Sequence, residues 1–203
     1  MIKLYGFPLS GNAHRVRLML SLLNLDYQLI HVKLDEAEHK QEKFTAINPL
    51  QLIPVLDDDG FVVRDSVAIL CYLATQYAPK WYPTDAQSIA RIQEWLAFST
   101  KDLSVGPAAA RLVNVFGADL DHKKIIEQSH ELLKKVDQHL NGREWLALDQ
   151  VSIADVAAYT YIAHAPEGDV DLSSYKHIQR WLKMVEALPN FVAMDKTPVG
   201  LAG

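Results

Sequence analysis

The stretch "IPVLDDDGFVVRDSVAILCYLA", residues 53–74, decides the fold. Its apolar runs, Val55-Leu56 and Phe61-Val62-Val63, flank Asp59-Gly60, and Asp-Gly between two such runs is a strong local signal for a tight hairpin. Pro54 stands where the first strand opens, has no N–H to give a ladder, and pushes Ile53 toward extended geometry. Directly after the second strand, Asp65 to Tyr77 has the length and spacing of a helix, opened by two good capping residues, Asp65 and Ser66. The segment therefore specifies strand, turn, strand, helix.

Upstream, Ile2 to Tyr5 reads as a buried strand, "NAHRVRLMLSLLNL" (12–25) as a helix and "YQLIHVKL" (27–34) as a strand. A short helical piece follows near Gln41 to Ala46. The order β-α-β-α-β-β-α matches a thioredoxin-like domain, a small mixed sheet with helices on both faces. In that fold a cis-proline at Pro54 exposes the backbone of Ile53 to an extended peptide, whereas local sequence alone favours an ordinary trans proline. Downstream the texture changes. "APKWYPTDAQ" (78–87) carries two prolines among polar residues, and no convincing strand follows it. Helices are expected over about 87–103, 107–115, 122–140, 152–165 and 174–187. The expected architecture is an α/β thioredoxin-like N-terminal domain (1–78), a linker (79–87) and an all-α C-terminal domain (88–203).

Composition narrows the function. Lys and Arg number 20 against 25 Asp and Glu, a net charge of −5. Neither half carries the basic excess of a nucleic-acid or membrane-surface binder. The apolar run Val67 to Ala74 is far short of the roughly 20 residues a bilayer span needs, so no membrane association is expected. The N-terminus "MIKLYGFPLSG" lacks a signal-peptide pattern, and one cysteine cannot form an intramolecular disulfide, which points to a reducing cytoplasm. No G-x-G-x-x-G, P-loop, H-E-x-x-H, G-x-S-x-G or C-x-x-C occurs, and the eight histidines lack metal-ligand spacing, so no metal is expected.

What remains is polar chemistry at helix starts. Ser10 precedes the first helix, where a serine ordinarily caps, yet free N–H groups and the positive helix end there also stabilise an anion. Asp65-Ser66 would open a second helix on the same sheet edge. Glu38, His39 and Lys40 read as a solvated charged turn. "SIAD" (152–155) has capping-box spacing, with Asp in place of the usual Glu or Gln. Trp95, Phe98, Trp145, Tyr159, Tyr161 and Trp181 sit at helical spacings suited to core packing. Cys71, inside an apolar helix, reads as a buried small hydrophobe, which argues against dithiol redox chemistry.

Taken together, "PLSGNAHRV", "AEHKQEKFTAINP", "IPVL", "DSVAILCYLA" and "SIADVAAY" occur in the order and spacing of the cytosolic glutathione transferases, and the chain resembles the serine-dependent theta- and phi-like classes and their bacterial relatives over essentially its whole length. The resemblance implies that Ser10 bonds the glutathione sulfur, His39 and Lys40 approach the glycine carboxylate, the backbone of Ile53 pairs with the cysteinyl unit, Asp65 and Ser66 hold the γ-glutamyl end, and Leu52 and Pro54 belong to the same glutathione site. Two positions depart from the family pattern. Gln51-Leu52 stands where Gly-Gln is frequent, and Asp65 replaces the more common Glu. The implied enzyme is a detoxifying transferase, a homodimer using glutathione as co-substrate against a small apolar electrophile. Two other readings stay open: a non-catalytic glutathione-binding or interaction module, and a glutathione-dependent peroxidase or reductase. The latter would want a cysteine near position 10.

Overall fold

The computed structural model describes all 203 residues. Strand β1 (Ile2–Gly6), helix α1 (Gly11–Leu22) and strand β2 (Tyr27–His31) open the chain, β1 and β2 pairing in parallel with Leu4 opposite Leu29. A 3-10 turn (Glu38–Lys40) and the single-turn helix α2 (Glu42–Thr45) lead to the hairpin β3 (Val55–Asp58) and β4 (Phe61–Arg64). Asp59 and Gly60 take positive φ of 48° and 95°, the backbone that a two-residue hairpin turn requires and that Asp-Gly supplies cheaply. β3 lies antiparallel to β1, with Leu56 opposite Leu4, and the sheet order is β2-β1-β3-β4. Helix α3 (Ser66–Tyr77) closes this unit.

Beyond α3 there is no strand. The stretch expected as a linker holds a 3-10 turn (Pro79–Trp81) with Trp81 buried, and then come α4 (Ala86–Val105), α5 (Pro107–Phe116), α6 (His122–His139), α7 (Ile153–Ala163) and α8 (Lys176–Glu186). The chain is thus a thioredoxin-like unit followed by a helical one, as expected. No helix is long and apolar enough to cross a membrane. The capping box is formed at α7: Ser152 caps it, and Asp155 accepts from the N–H of Ser152 (2.9 Å) and of Leu146 (2.9 Å) and from Trp181 Nε1 (3.0 Å). Those bonds satisfy a carboxylate that burial alone would make costly.

One apolar core runs through both units, joining Leu4, Val16, Leu20 and Ile69 to Ile92, Leu133, Ile153 and Trp181. Helix α1 packs on α3 and on α7 and is the common wall. Its buried His14 adds a polar joint: Nδ1 lies 2.8 Å from Thr160 Oγ1 and Nε2 2.9 Å from the Val192 carbonyl. A carbonyl only accepts, so Nε2 carries the proton and Nδ1 accepts from the threonine hydroxyl. Burial drives the His14 pKa down to about 3, the bond to Val192 opposing and Arg17, His164 and Arg15 adding repulsion. The start of α1 is therefore fixed against the helical unit by packing and by hydrogen bonds.

Candidate functional site

Ser10 ends the loop between β1 and α1 in extended geometry (φ −82°, ψ 115°), and its Oγ accepts the Ala13 N–H at 3.2 Å. This is the cap the sequence implies, and a cap uses only an oxygen lone pair. The hydroxyl proton has no acceptor in the chain. Capping and donating to a ligand are therefore compatible.

The Ile53-Pro54 bond is cis. Neither the N–H nor the C=O of Ile53 has a partner within the chain. The loop that carries Ile53 is held by Asn48, a buried side chain that donates to the Leu52 carbonyl (2.7 Å) and accepts from the Leu50 N–H (3.1 Å). Leu52 is 63% exposed. An unpaired backbone edge beside a sheet is a docking place for an extended peptide.

Asp65 caps α3 from a left-handed backbone (φ 74°), Oδ1 accepting from Val67 (2.8 Å) and Ala68 (3.0 Å). An aspartate tolerates this geometry better than a β-branched or bulky residue, and its Oδ2 has no partner. Ser66 is buried and its Oγ accepts from Arg15 Nη1 at 3.1 Å. Arg15, only 1% exposed, leaves Nε and Nη2 unpaired and stacks over the Tyr161 ring at 5.5 Å. Burial lowers its pKa, with Tyr161 and Asp65 opposing.

Leu52, Ile53, Pro54, Asp65 and Ser66 line one cleft of about 230 Å3. Asn12, on the first turn of α1, lines it too, so both helix N-termini reach the same place. Asn48, Leu50 and Arg64 complete the lining and were not read from the sequence. An Asn before a proline reads as turn chemistry, and a lone Arg before Asp-Ser has no motif. Ser10, His39 and Lys40 do not line the cleft: Ser10 stands two residues before Asn12, and His39 and Lys40 sit on the 3-10 turn, where Lys40 is exposed and His39 Nδ1 is buried without a partner.

The helical unit contributes more than packing. Tyr161, expected in the core, lies against the start of α1: a Cβ at Gly11 would fall 2.6 Å from its ring, so only glycine fits beside it. Arg111 of α5 donates to the Leu9 carbonyl at 2.9 Å, directly before Ser10. The rings of Phe7 and Phe116, the latter 46% exposed, stand 6.4 Å apart across the two units. Trp181 and Tyr159 are buried as expected, while Trp95, Phe98 and Trp145 are half-buried against the core. Cys71 is half-buried, and burial pushes its thiol pKa up. No group of three or more His, Cys, Asp or Glu is placed to hold a metal ion.

The chain is a thioredoxin-like sheet with an unpaired backbone at Ile53 and residues of two helix N-termini on one cleft, followed by a helical unit. The family follows from comparison. Residues 1–75 match the glutathione S-transferase N-terminal domain and 112–189 the C-terminal domain. The chain is 29% identical over 199 residues to glutathione S-transferase theta-1 of Rattus norvegicus (92% of this chain, 83% of that protein). It is 30% identical over 203 residues to glutathione S-transferase 3 of Zea mays (94% of this chain, 91% of that protein). A solved glutathione S-transferase from Pseudomonas fluorescens superposes with a TM-score of 0.90 at 31% identity, covering 96% of this chain and 99% of that one. The chain belongs to the glutathione S-transferase family and is an enzyme of that family.

Proposed function

We propose that the chain is a serine-type transferase, theta- or phi-like in its site, in which Ser10 donates a hydrogen bond to the glutathione sulfur and holds it as the thiolate that attacks a small apolar electrophile. The observation that carries this reading is the state of the Ser10 hydroxyl: Oγ already serves as the helix cap while its proton is free, at the positive end of α1. A free thiol has a pKa near 8.5, so only a few per cent is ionised at neutral pH, and lowering that value is the first task of the enzyme. In the chemical step the sulfur forms a C–S bond, the displaced group leaves with its electron pair, and the thiol proton goes to solvent.

The lining of the cleft supports one orientation of the tripeptide. Ile53 pairs through its free N–H and C=O with the cysteinyl unit, while Asp65 Oδ2 and Ser66 receive the γ-glutamyl ammonium and carboxylate. Leu52 and Pro54 give apolar contact beside the cysteine. His39 and Lys40 approach the glycine carboxylate from outside the cleft. Residues 1–78 then form the glutathione-binding domain and 88–203 the helical domain, joined by 79–87, with Phe7 and Phe116 as an aromatic wall for the electrophile. A cytoplasmic homodimer acting in detoxification is the setting that the family relationship supports. The raised thiol pKa of Cys71 weighs against a cysteine-dependent reductase.

The test is retention on immobilised glutathione and elution by free glutathione, followed by turnover of a panel of electrophiles and hydroperoxides. Binding with conjugation of an electrophile is expected. No binding at millimolar glutathione refutes the reading; binding without turnover leaves a non-catalytic module.

A further inference from the structure

We propose that Arg111 is a positioning residue that fixes the peptide plane from which Ser10 presents its hydroxyl; the proposal rests on the functional reading of Ser10 given above. The plane is held at both ends. Arg111 Nη1 donates to the Leu9 carbonyl at 2.9 Å, and the Ser10 N–H on the other side of the same peptide donates to the Phe7 carbonyl at 3.0 Å. With both groups of one rigid plane engaged, the Cα of Ser10 has little freedom to swing its side chain. The second bond is local to the loop. The first arrives from a residue 102 positions away, on the helical unit.

Arg111 is itself held for this purpose. It is 2% exposed, and its Nε forms a buried ion pair with Glu167. The Glu167 carboxylate also accepts from His164 Nδ1 (3.0 Å) and the Thr197 N–H (2.8 Å). Burial pushes the Glu167 pKa up, but the bonds from Thr197, Arg111 and His164 outweigh it and keep the carboxyl below its ordinary range. Burial lowers the His164 pKa, so the imidazole stays neutral and the guanidinium is the charge partner of the carboxylate. Gly168 makes the approach possible: a Cβ there would fall 2.5 Å from the Arg111 backbone nitrogen. A buried ion pair is rarely more stable than well-packed apolar residues of the same volume. The planar guanidinium holds the carboxylate through Nε and the carbonyl through Nη1, two nitrogens at fixed spacing, which apolar residues cannot do and the single nitrogen of a lysine does not reproduce.

A merely structural pair and a positioning residue differ in what happens to bound glutathione. The experiment titrates the ultraviolet thiolate absorbance of glutathione bound to the full chain, in wild type, in Arg111→Met/Glu167→Gln and in Asn114→Ala. The double variant removes both charges while Gln keeps an acceptor for His164 and Thr197. Asn114→Ala removes the bonds of α5 to the Glu167 carbonyl (2.9 Å) and to Asp169 (2.8 Å) without touching Leu9. In the double variant the thiol pKa is expected to rise by about one unit, with glutathione affinity within about threefold of wild type and Asn114→Ala unshifted. An unchanged thiol pKa in the double variant overturns the proposal, as does an equal shift in Asn114→Ala. If the double variant does not fold, Arg111→Lys, whose ammonium pairs with the buried Glu167 carboxylate and leaves the Leu9 carbonyl, is expected to give a smaller rise of the same sign, and no rise there overturns the proposal. Wild type that binds glutathione without lowering its thiol pKa overturns the reading of Ser10 instead, a separate outcome.

Discussion

Replacing Ser10 by Ala removes two things that can be measured apart. The first is the cap: Oγ accepts the Ala13 N–H at 3.2 Å, a long bond, so the loss belongs at the lower end of the capping range, about 0.5 to 1 kcal/mol. The second is the hydroxyl proton, which the proposed mechanism gives to a thiolate. A hydrogen bond to a charged group is worth about 1.5 to 3 kcal/mol. At about 1.36 kcal/mol per pKa unit this raises the bound thiol by roughly one to two units. Turnover at neutral pH should then fall roughly 10- to 100-fold, with the rising limb of the pH-rate profile displaced upward by the same one to two units. Ser10→Asp sharpens the contrast. A carboxylate is a good cap and is favoured at a helix N-terminus, so melting should be unchanged or higher, while an acceptor-only anion beside the sulfur should depress activity further than Ala does. Melting curves and pH-rate profiles recorded on the same preparations decide the matter. A near-normal rate with an unshifted profile in Ser10→Ala rejects Ser10 as the activating residue.

Two further predictions follow from the same geometry. Asp65→Asn keeps an acceptor for the Val67 and Ala68 N–H groups and tolerates the positive φ, but loses the charge. Glutathione affinity should drop about tenfold with kcat at saturation within about twofold, measured by calorimetry and steady-state kinetics; unchanged affinity refutes the role of Asp65. His14 supplies a pH dependence of stability: its folded pKa of about 3 lies below the ordinary 6.5, so the unfolded chain binds the extra proton between those values. The stabilisation is complete above pH 6.5 and is lost as pH falls toward 3, by about 2 kcal/mol at about pH 5. Urea unfolding of wild type and His14→Gln should differ in pH slope by one proton across that window, and equal slopes refute the buried neutral imidazole.

The parts of this molecule that its sequence discloses are those whose physics is local. Asp59-Gly60 takes the backbone of a two-residue hairpin because the residues themselves favour it. Ser10, Asp65 and Ser152 cap helices within three positions of themselves. The helical spacings from 87 onward lead to α4 through α8 with ends displaced by only a few residues. His39 and Lys40 lie on a charged turn whose position relative to the cleft depends on how the loop folds back, and no spacing encodes that. The two buried arginines fall between these cases. Arg15 sits in an apolar helix and Arg111 among alanines, and a charge in such a setting must find a partner or be expelled. Spacing alone marks neither position, since Arg17 shares the helix of Arg15 and is only half-buried. It does not name the partners, because Ser66 lies 51 residues from Arg15 and Glu167 lies 56 from Arg111, brought together by the packing of α1 on α3 and of α5 on the turn that carries Glu167. A buried cation on an apolar helix is therefore the place where a linear reading should expect a contact between distant segments. Here both such contacts converge on Ser10: one ties its helix to Ser66, and the other holds the loop that precedes it.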